Sequence, residues 1–323
     1  MSLSPAIASR LALPAICAPM FRVSTPALVT EACKAGLVGG LPRVNASCIE
    51  EFEAWLRDLR VALDRTAELN PENRIGPIAV NLPVRLPTSE LRANLALCQK
   101  YGVEIVISVA GDPTEMAREV HDWGGVIYHD VTSMRFAEKA IRASVDGLVC
   151  IASGGGGHSG TVSALVLVPQ VRSIFSGTII LAGAVATGAA IRAAEILGAD
   201  LAYIGTRFIA TQEAEVADAY KQMLLADTSE GLLYTERVGG VAANWLVSSL
   251  RQAGLDPDEL PVPLGRGMRH DHLPADARPW DNLLSAGQGI DLIRDIPTVA
   301  ILVARLTRQY RDACDITPFA GRN

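Results

Sequence analysis

The sequence lacks the features that would place it in a membrane or on nucleic acid. No apolar run approaches the roughly eighteen residues that a membrane-spanning helix requires. The N-terminal segment is apolar, but Arg10 and several prolines interrupt it, so it does not have the form of a secretory leader. The formal net charge is −6, which gives no electrostatic attraction for nucleic acid or anionic lipid. We therefore expect a cytoplasmic protein that acts on a small molecule.

Cysteine is also sparse, and its spacing excludes two kinds of site. The six cysteines are scattered over 323 residues, and no two form a CxxC pair. In a chain with 49% hydrophobic residues they are expected to be reduced, buried thiols rather than a disulfide framework or a zinc site. His270 and His272 lie two residues apart, without a cluster of carboxylates or cysteines beside them. We expect no metal site.

Short apolar runs alternate with helical segments over the first two hundred residues. Runs of four to six residues, apolar at nearly every position, are typical of strands that are buried on both faces. The eight runs are Ala15–Ala18, Leu37–Gly40, Ile78–Leu82, Ile105–Val109, Gly125–His129, Gly147–Ile151, Thr178–Ala182 and Leu201–Gly205. Eight such units predict an α/β fold of the (β/α)8 barrel class. A doubly wound open sheet is the alternative, but no GxGxxG follows the first run.

The alternation stops after Thr211, which divides the chain into three parts. Residues 1–212 are predicted to form the barrel, and residues 213–287 a small helical insertion that covers the active site. Glu213–Leu225 has helical spacing, whereas the rest of the insertion is rich in proline. Residues 288–323 are predicted to form a C-terminal helix that packs back on the barrel. Trp245 and Trp280 either line a substrate pocket in the insertion or pack in its core.

The most distinctive stretch follows the sixth run, where four glycines, Gly154–Gly157, precede His158. Ordering four glycines costs much backbone entropy, so the loop is expected to approach a flat, bulky group or to turn at positive φ. His158 is then the ionisable side chain on a bare backbone surface. Its ordinary pKa suits proton transfer near neutral pH. The alternative is a structural histidine bonded to a nearby carbonyl.

Barrel enzymes build their sites from the loops that follow the strands. Late loops of this kind often hold a phosphate with backbone amides. Gly183 follows the seventh run, and Gly205 with Thr206 follows the eighth, so these residues predict a phosphate site. Further candidate site residues lie at or just after the ends of the earlier runs, namely Ala18, Met20, Asn81 and His129.

Taken together and in order, the motifs resemble those of one family. The segments are CAPM, GGGGHSG, ILAGAVATGAAI, GADLAYIGTRFIAT and SAGQG. They look like the nitronate monooxygenase (2-nitropropane dioxygenase-like) family, which also includes FMN-dependent enoyl-acyl-carrier-protein reductases and NADH:quinone reductases. The resemblance runs from about residue 14 to the C-terminal helix, and it implies a (β/α)8 barrel with FMN at its C-terminal face.

The resemblance also assigns roles to individual residues. It implies that the flavin ring lies against Ala18 and Met20, with Asn81 near its edge and Gly157 in the glycine wall. It implies that Gly183, Gly205 and Thr206 hold the phosphate, and that His158 is catalytic beside the flavin N5.

Two departures from the family pattern affect the predicted reaction. Many members carry an acidic residue before the glycines, where this sequence has Ser153 or Gly154. Many carry a lysine after the fifth strand, where this sequence has His129 and Asp130. Either His129 replaces the lysine as a hydrogen-bond donor to the cofactor, or the flavin potential differs. We expect Asp130 to cap the helix that follows.

The predicted function is that of an FMN-dependent oxidoreductase that oxidises alkyl nitronates, with O2 as the acceptor. One alternative is an FMN-dependent reductase that uses NAD(P)H to reduce an enoyl thioester or a quinone. An alternative of another class is a barrel that binds a phosphate ligand without flavin. The sequence leaves the physiological substrate and the oligomeric state open.

Overall fold

The computed structural model describes residues 2–263, 265 and 267–317. Eight parallel strands close into a barrel, which confirms the predicted fold class. They follow one another around the barrel in chain order, and the last strand pairs with the first, with Cys17 opposite Ile204. The barrel strands are β1 (Ala15–Cys17), β2 (Val38–Pro42), β3 (Ile78–Pro83), β4 (Ile105–Val109), β5 (Val126–Val131), β6 (Gly147–Ile151), β8 (Thr178–Ala182) and β9 (Leu201–Ile204), and β7 (Gly157–His158) lies outside the barrel.

Helices alternate with these strands and begin at recognisable signals. Pro26 occupies the first turn of the second helix, and Thr187 and Thr298 cap two others by accepting a backbone N–H at their side-chain oxygens. The helices are α1 (Pro5–Ala8), α2 (Pro26–Lys34), α3 (Ile49–Leu69), α4 (Thr88–Lys100), α5 (Thr114–Asp122), α6 (Met134–Arg142), α7 (Ala164–Ile174), α8 (Gly188–Leu197), α9 (Thr206–Ile209), α10 (Asp218–Ala226), α11 (Val247–Gln252) and α12 (Val299–Cys314). In the described part of the chain no helix has the length and apolarity needed to cross a membrane.

Alternation along each strand decides which side chains fill the barrel. The inner cluster takes every second residue and includes Ile7 and Leu11 from the N-terminal segment, which close one end. Its strand members include Ile16, Val38, Ala79, Ile107, Tyr128, Val149, Ile180 and Leu201. The residues between them belong to the outer core, against the helices. The same period of two determines which residues face the centre at the C-terminal end of the barrel.

Helix α12 packs against α8 and α2, in the gap that the eighth barrel helix would occupy. Helices α8 and α12 approach closely at Gly188, where an added Cβ would lie only 2.1 Å from the Leu306 carbonyl oxygen. Gln309 accepts the Gly188 N–H, and Tyr310 donates to Glu195 from the same face of α12. The chain beyond β9 therefore returns to complete the barrel.

The segment between β9 and α12 contains more than helices. The predicted helix at 213–225 begins only at Asp218, and an antiparallel pair follows it, β10 (Leu232–Thr235) and β11 (Ala243–Leu246). Strand β11 also pairs with β7, so the order of this small sheet is β10-β11-β7. The segment has its own hydrophobic cluster around the fully buried Trp245. Residues 264 and 266 of the predicted insertion, and residues 318–323 of the predicted C-terminal part, lie outside the described residues.

Candidate active site

Four residues face the barrel centre where the strands end. Ala18, Asn81, Asp130 and Tyr203 each continue the alternation of an inner-cluster residue two positions earlier. Asn81 donates from Nδ2 to the carbonyl of Ile107 across 3.2 Å, which fixes its side chain above the barrel core. Burial raises the pKa of Tyr203, and the nearby Asp130 carboxyl adds to the rise. Asn81, Asp130 and Tyr203 thus place polar groups on this floor, beside the apolar Ala18.

Asp130 has a different place from the one expected. The N-cap residue of α6 is Ser133, so Asp130 does not cap that helix. Its Oδ1 is buried and has no hydrogen-bond partner among the described residues. Burial raises the pKa of this carboxyl to about 7. Asp130 is therefore a buried acid that changes its charge near neutral pH and faces the inside of the barrel.

His129 lies on the opposite side of β5 from Asp130. Ile127 and Val131, two positions before and after His129, belong to the outer core. Tyr128, the adjacent residue, belongs to the inner cluster. His129 is buried, its Nδ1 lies 2.8 Å from Ser108 Oγ, and burial lowers its pKa to about 4. The structure therefore does not bring His129 together with the inward-facing residues. Our expectation of His129 as a donor inside the barrel is corrected, because the strand alternation gives the inner position to Asp130.

The four glycines after β6 form a wall that other loops approach closely. The carbonyl of Gly154 accepts the Gln288 N–H at 2.8 Å, and a Cβ added at Gly156 would lie 2.9 Å from the Gly287 nitrogen. Gly157 has a φ of +69°, and a Cβ added there would meet no atom within 4 Å. Gly157 therefore presents bare backbone to open space, in a conformation that L side chains rarely adopt.

His158 follows this wall and is held by the segment beyond the barrel. As one of the two residues of β7, it pairs with Ala243 of β11. Asn244 donates from Nδ2 to the Gly155 carbonyl across 2.7 Å, and Tyr234 donates to the Ser159 carbonyl across 2.9 Å. No sequence pattern indicates Asn244 or Tyr234 as site residues, because their partners Gly155 and Ser159 flank β7, whose two residues have no detectable period.

The His158 side chain is partly buried and has an unused nitrogen. Its Nε2 is buried and has no hydrogen-bond partner within the described part of the chain. Burial lowers the pKa of His158, which favours the neutral imidazole. The Trp280 ring meets it edge to face, with the ring centroids 5.1 Å apart. A buried nitrogen without a partner in a native site requires an explanation, and a bound ligand provides one.

The two late loops lie beside the glycine wall and the end of β1. Gly183 has a φ of +124°, and a Cβ there would lie 3.0 Å from the Ser153 carbonyl oxygen. Thr206 accepts the Gly287 N–H at Oγ1 across 2.9 Å, which leaves its hydroxyl hydrogen free to be donated. A Cβ at Gly205 would lie 3.5 Å from Met20 Sδ and 3.9 Å from the Ala18 Cβ. Gly205 therefore lies beside the residues expected to contact a ring, and Gly183 and Thr206 lie beside the glycine wall.

The described residues contain no group of three or more histidine, cysteine, aspartate or glutamate side chains that could hold a metal ion. Of the pair His270 and His272, the second contacts the Arg237 carbonyl through Nε2 at 2.6 Å.

Comparisons with known proteins relate the chain to a group of oxidoreductases. A family model described as nitronate monooxygenase matches residues 7–309. The nitronate monooxygenase of Paraburkholderia phytofirmans is 25% identical to this chain, over 94% of this chain and 93% of the relative. A nitroalkane oxidase from Streptomyces ansochromogenes superposes with a TM-score of 0.77 at 22% identity, covering 96% and 99% of the two chains. FabK from Thermotoga maritima superposes with a TM-score of 0.75 at 23% identity, covering 97% and 98%.

Proposed function

Since the chain belongs to the nitronate monooxygenase family and is an oxidoreductase, we propose that it oxidises alkyl nitronates with a bound FMN and with O2 as the acceptor. The observation that carries this proposal is the position of His158. A neutral imidazole with an unpartnered Nε2 follows a wall of bare glycine backbone at the C-terminal end of the barrel. Barrel enzymes have their active sites at this end.

The residues at this end of the barrel are suited to a planar cofactor that carries a phosphate. The open space beside Gly157 accepts a flat ring against the backbone, and Met20 and Ala18 offer an apolar surface near Gly205. Thr206 Oγ1 has a hydrogen to donate, and the positive φ of Gly183 lets backbone approach a ligand closely. Gly183, Gly205 and Thr206 would hold the phosphate, whereas Ala18, Met20 and Gly157 would contact the ring.

When bound, FMN supplies the electron-accepting ring that O2 returns to its oxidised state. His158 supplies a hydrogen bond to the substrate, because the neutral imidazole can donate from one ring nitrogen and accept at the other. With a nitronate, the imidazole N–H holds a nitro oxygen and fixes the reacting carbon in place. With a neutral nitroalkane, the same side chain accepts the α-proton, and its lowered pKa keeps it in the form able to do so.

Asn81 and Asp130 act from the floor of the barrel at its C-terminal end. The Asn81 amide, fixed by its bond to the Ile107 carbonyl, is the polar group near the ring edge. Asp130 Oδ1 can accept a hydrogen bond when ionised and its acid can donate one when protonated. With a pKa of about 7, Asp130 brings a pH-dependent charge to a position where many family members have a lysine.

The test begins with the purified protein, incubated with FMN and then desalted. We expect flavin absorbance to remain with the protein, and we expect the nitronate of 1-nitropropane to drive O2 consumption. Protein that retains no flavin would contradict the proposal and leave the flavin-free phosphate barrel as the better account.

Anaerobic mixing with NADH or NADPH separates the proposal from the reductase alternative. We expect the flavin absorbance to be bleached by the nitronate and to remain unchanged with either nicotinamide. Rapid bleaching by a nicotinamide, with none by the nitronate, would instead identify an NAD(P)H-dependent reductase of an enoyl thioester or a quinone.

A further inference from the structure

A large cavity opens beside the candidate site, between the loop after β1 and helix α10. Its volume is about 920 Å³. Aromatic and aliphatic side chains dominate its wall, among them Phe21, Trp55, Tyr220, Met223, Trp280 and Leu284. Phe21 directly follows Met20, which borders the cofactor side of the barrel end. Phe21 and Trp280 therefore bring this cavity next to the site, since the Trp280 ring also contacts His158.

Charged groups are confined to the rim of this cavity. Arg22 Nη1 lies 2.9 Å from Asp281 Oδ1, and both residues line the cavity. The Arg22 backbone N–H donates to Asn45 Oδ1 across 2.8 Å, which holds the arginine at the opening. The two charges compensate each other, so the cavity offers an apolar interior without a net charge at its entrance.

Trp280 stands between this cavity and His158. One side of the residue lines the cavity, and its ring meets the His158 ring at 5.1 Å and the Trp245 ring at 4.8 Å, centroid to centroid. Its backbone has a φ of +58°, which is unusual for a bulky residue and stores strain. The Trp280 backbone N–H donates to the Leu283 carbonyl across 2.8 Å, and the Trp280 ring packs over Gly239. The surroundings thus hold Trp280 in a strained conformation as the wall between cavity and imidazole.

We propose, on the basis of the function proposed above, that this cavity binds the apolar body of a bulky substrate, with Trp280 as the specificity-determining residue between it and His158. Pockets for drug-sized ligands range from roughly 300 to 1,000 Å³, so this cavity lies near the upper limit. A three-carbon nitronate would leave most of it empty. The substrate class is accordingly a nitronate that carries a hydrocarbon chain or ring system of about ten carbons.

Two alanines on helix α10 provide a matched test. Ala219 lines the cavity and Ala226 does not, and both are exposed, so phenylalanine can replace either without entering the core. The measurement is the ratio of kcat/KM for the nitronate of 1-nitrodecane to that for the nitronate of 1-nitropropane. We expect Ala219→Phe to lower this ratio about tenfold, because loss of a few buried methylenes has an effect of this size. Ala226→Phe is expected to leave the ratio unchanged.

Trp280→Phe tests the wall itself. A smaller ring opens space between the cavity and His158, so the ratio of kcat/KM for the decyl nitronate to that for the propyl nitronate is expected to rise about threefold. The pH profile of kcat with the propyl substrate reports whether the His158 imidazole keeps its environment. An unchanged ratio in both Ala219→Phe and Trp280→Phe would overturn the proposal, even with normal turnover of the propyl nitronate.

A binding measurement keeps the cavity testable if no nitronate is turned over. The probe is 8-bromooctan-1-ol, whose bromine quenches the fluorescence of nearby tryptophans, and Trp55 and Trp280 both line the cavity. We expect saturable quenching in the parent and in Ala226→Phe, and about tenfold weaker binding in Ala219→Phe. Equal affinity in all three proteins would overturn the cavity as a binding site. Failure of nitronate turnover alone would contradict only the proposed function.

Discussion

Asn244 donates from Nδ2 to the carbonyl of Gly155 across 2.7 Å, which ties strand β11 to the glycine wall of the barrel. The same amide lies 3.3 Å from Ser159 Oγ, and the Asn244 side chain is buried. His158 lies between these two partners. The shape of the loop that presents the imidazole therefore depends on a residue that lies 86 positions later in the chain.

The first prediction concerns this link. Asn244→Ala removes the donor and leaves the partly buried Gly155 carbonyl without this partner, which costs about 1–3 kcal/mol. We expect the free energy of unfolding to fall by this amount and FMN to bind about tenfold more weakly. Chemical denaturation and fluorescence titration with FMN measure the two effects. Asn73→Ala, at an exposed position, is the control, and equal behaviour of the two variants would contradict this role for Asn244.

The second prediction concerns Thr206. Thr206→Val keeps the shape but removes the acceptor of the Gly287 N–H and the hydroxyl donor proposed for the phosphate. We expect the Kd for FMN to rise about tenfold, as for the loss of one hydrogen bond to a charged group. Thr206→Ser retains the hydroxyl and should bind FMN within about twofold of the parent. If Thr206→Ser binds FMN as weakly as Thr206→Val, or Thr206→Val binds it as tightly as the parent, the proposed hydroxyl contact is wrong.

The third prediction concerns the charge on Asp130. Its pKa of about 7 means that the carboxylate forms as the pH rises through neutrality. A negative charge facing the barrel centre opposes the addition of electrons there, so the reduction potential of bound FMN is expected to fall more steeply with pH around pH 7 in the parent than in Asp130→Asn. Spectroelectrochemical titration from pH 6 to pH 8 measures this. Asp122→Asn, at an exposed position, should match the parent, and a parent-like slope in Asp130→Asn would refute the assignment.

The fourth prediction concerns His129 and acid stability. Its pKa in the folded protein is about 4, below its ordinary value of 6.5, because burial disfavours the charged ring. As the pH falls, the unfolded chain therefore takes up the proton first, and the free energy of unfolding decreases between pH 6.5 and pH 4. The decrease attributable to this ring approaches about 3 kcal/mol.

Denaturant unfolding at several pH values measures this contribution. His129→Gln should lose the corresponding part of the slope between pH 6.5 and pH 4, whereas His270→Gln, at an exposed position, should keep it. The same slope in His129→Gln and the parent would show that the buried ring does not govern acid stability.

Much of the barrel could be predicted because buried parallel strands are continuous apolar runs. The predicted runs agree with the barrel strands to within about two residues at each end, and Gly154–Gly157 marks the loop at the site. The alternation also distinguishes Asp130 from His129. With Tyr128 as an inner residue of β5, Asp130 must be the next inner residue and His129 an outer one.

The contacts between the barrel and the segment beyond it could not be predicted. Strand β7 has two residues, which is too short for any period, and its partner Ala243 lies in a stretch expected to be helical or irregular. Trp280 has a left-handed backbone that no sequence pattern indicates for a tryptophan. Such features depend on packing between distant parts of the chain, so they are visible only in the folded structure.

The most direct test of the central proposal is a single turnover of the FMN-loaded protein without oxygen. The protein is mixed anaerobically with the nitronate of 1-nitropropane, and the loss of flavin absorbance is followed in the parent and in His158→Asn. We expect the parent to be bleached within one turnover and the variant to be slower by about 100-fold, while both retain FMN. Bleaching of His158→Asn at the rate of the parent, or no bleaching of the parent, would contradict the account.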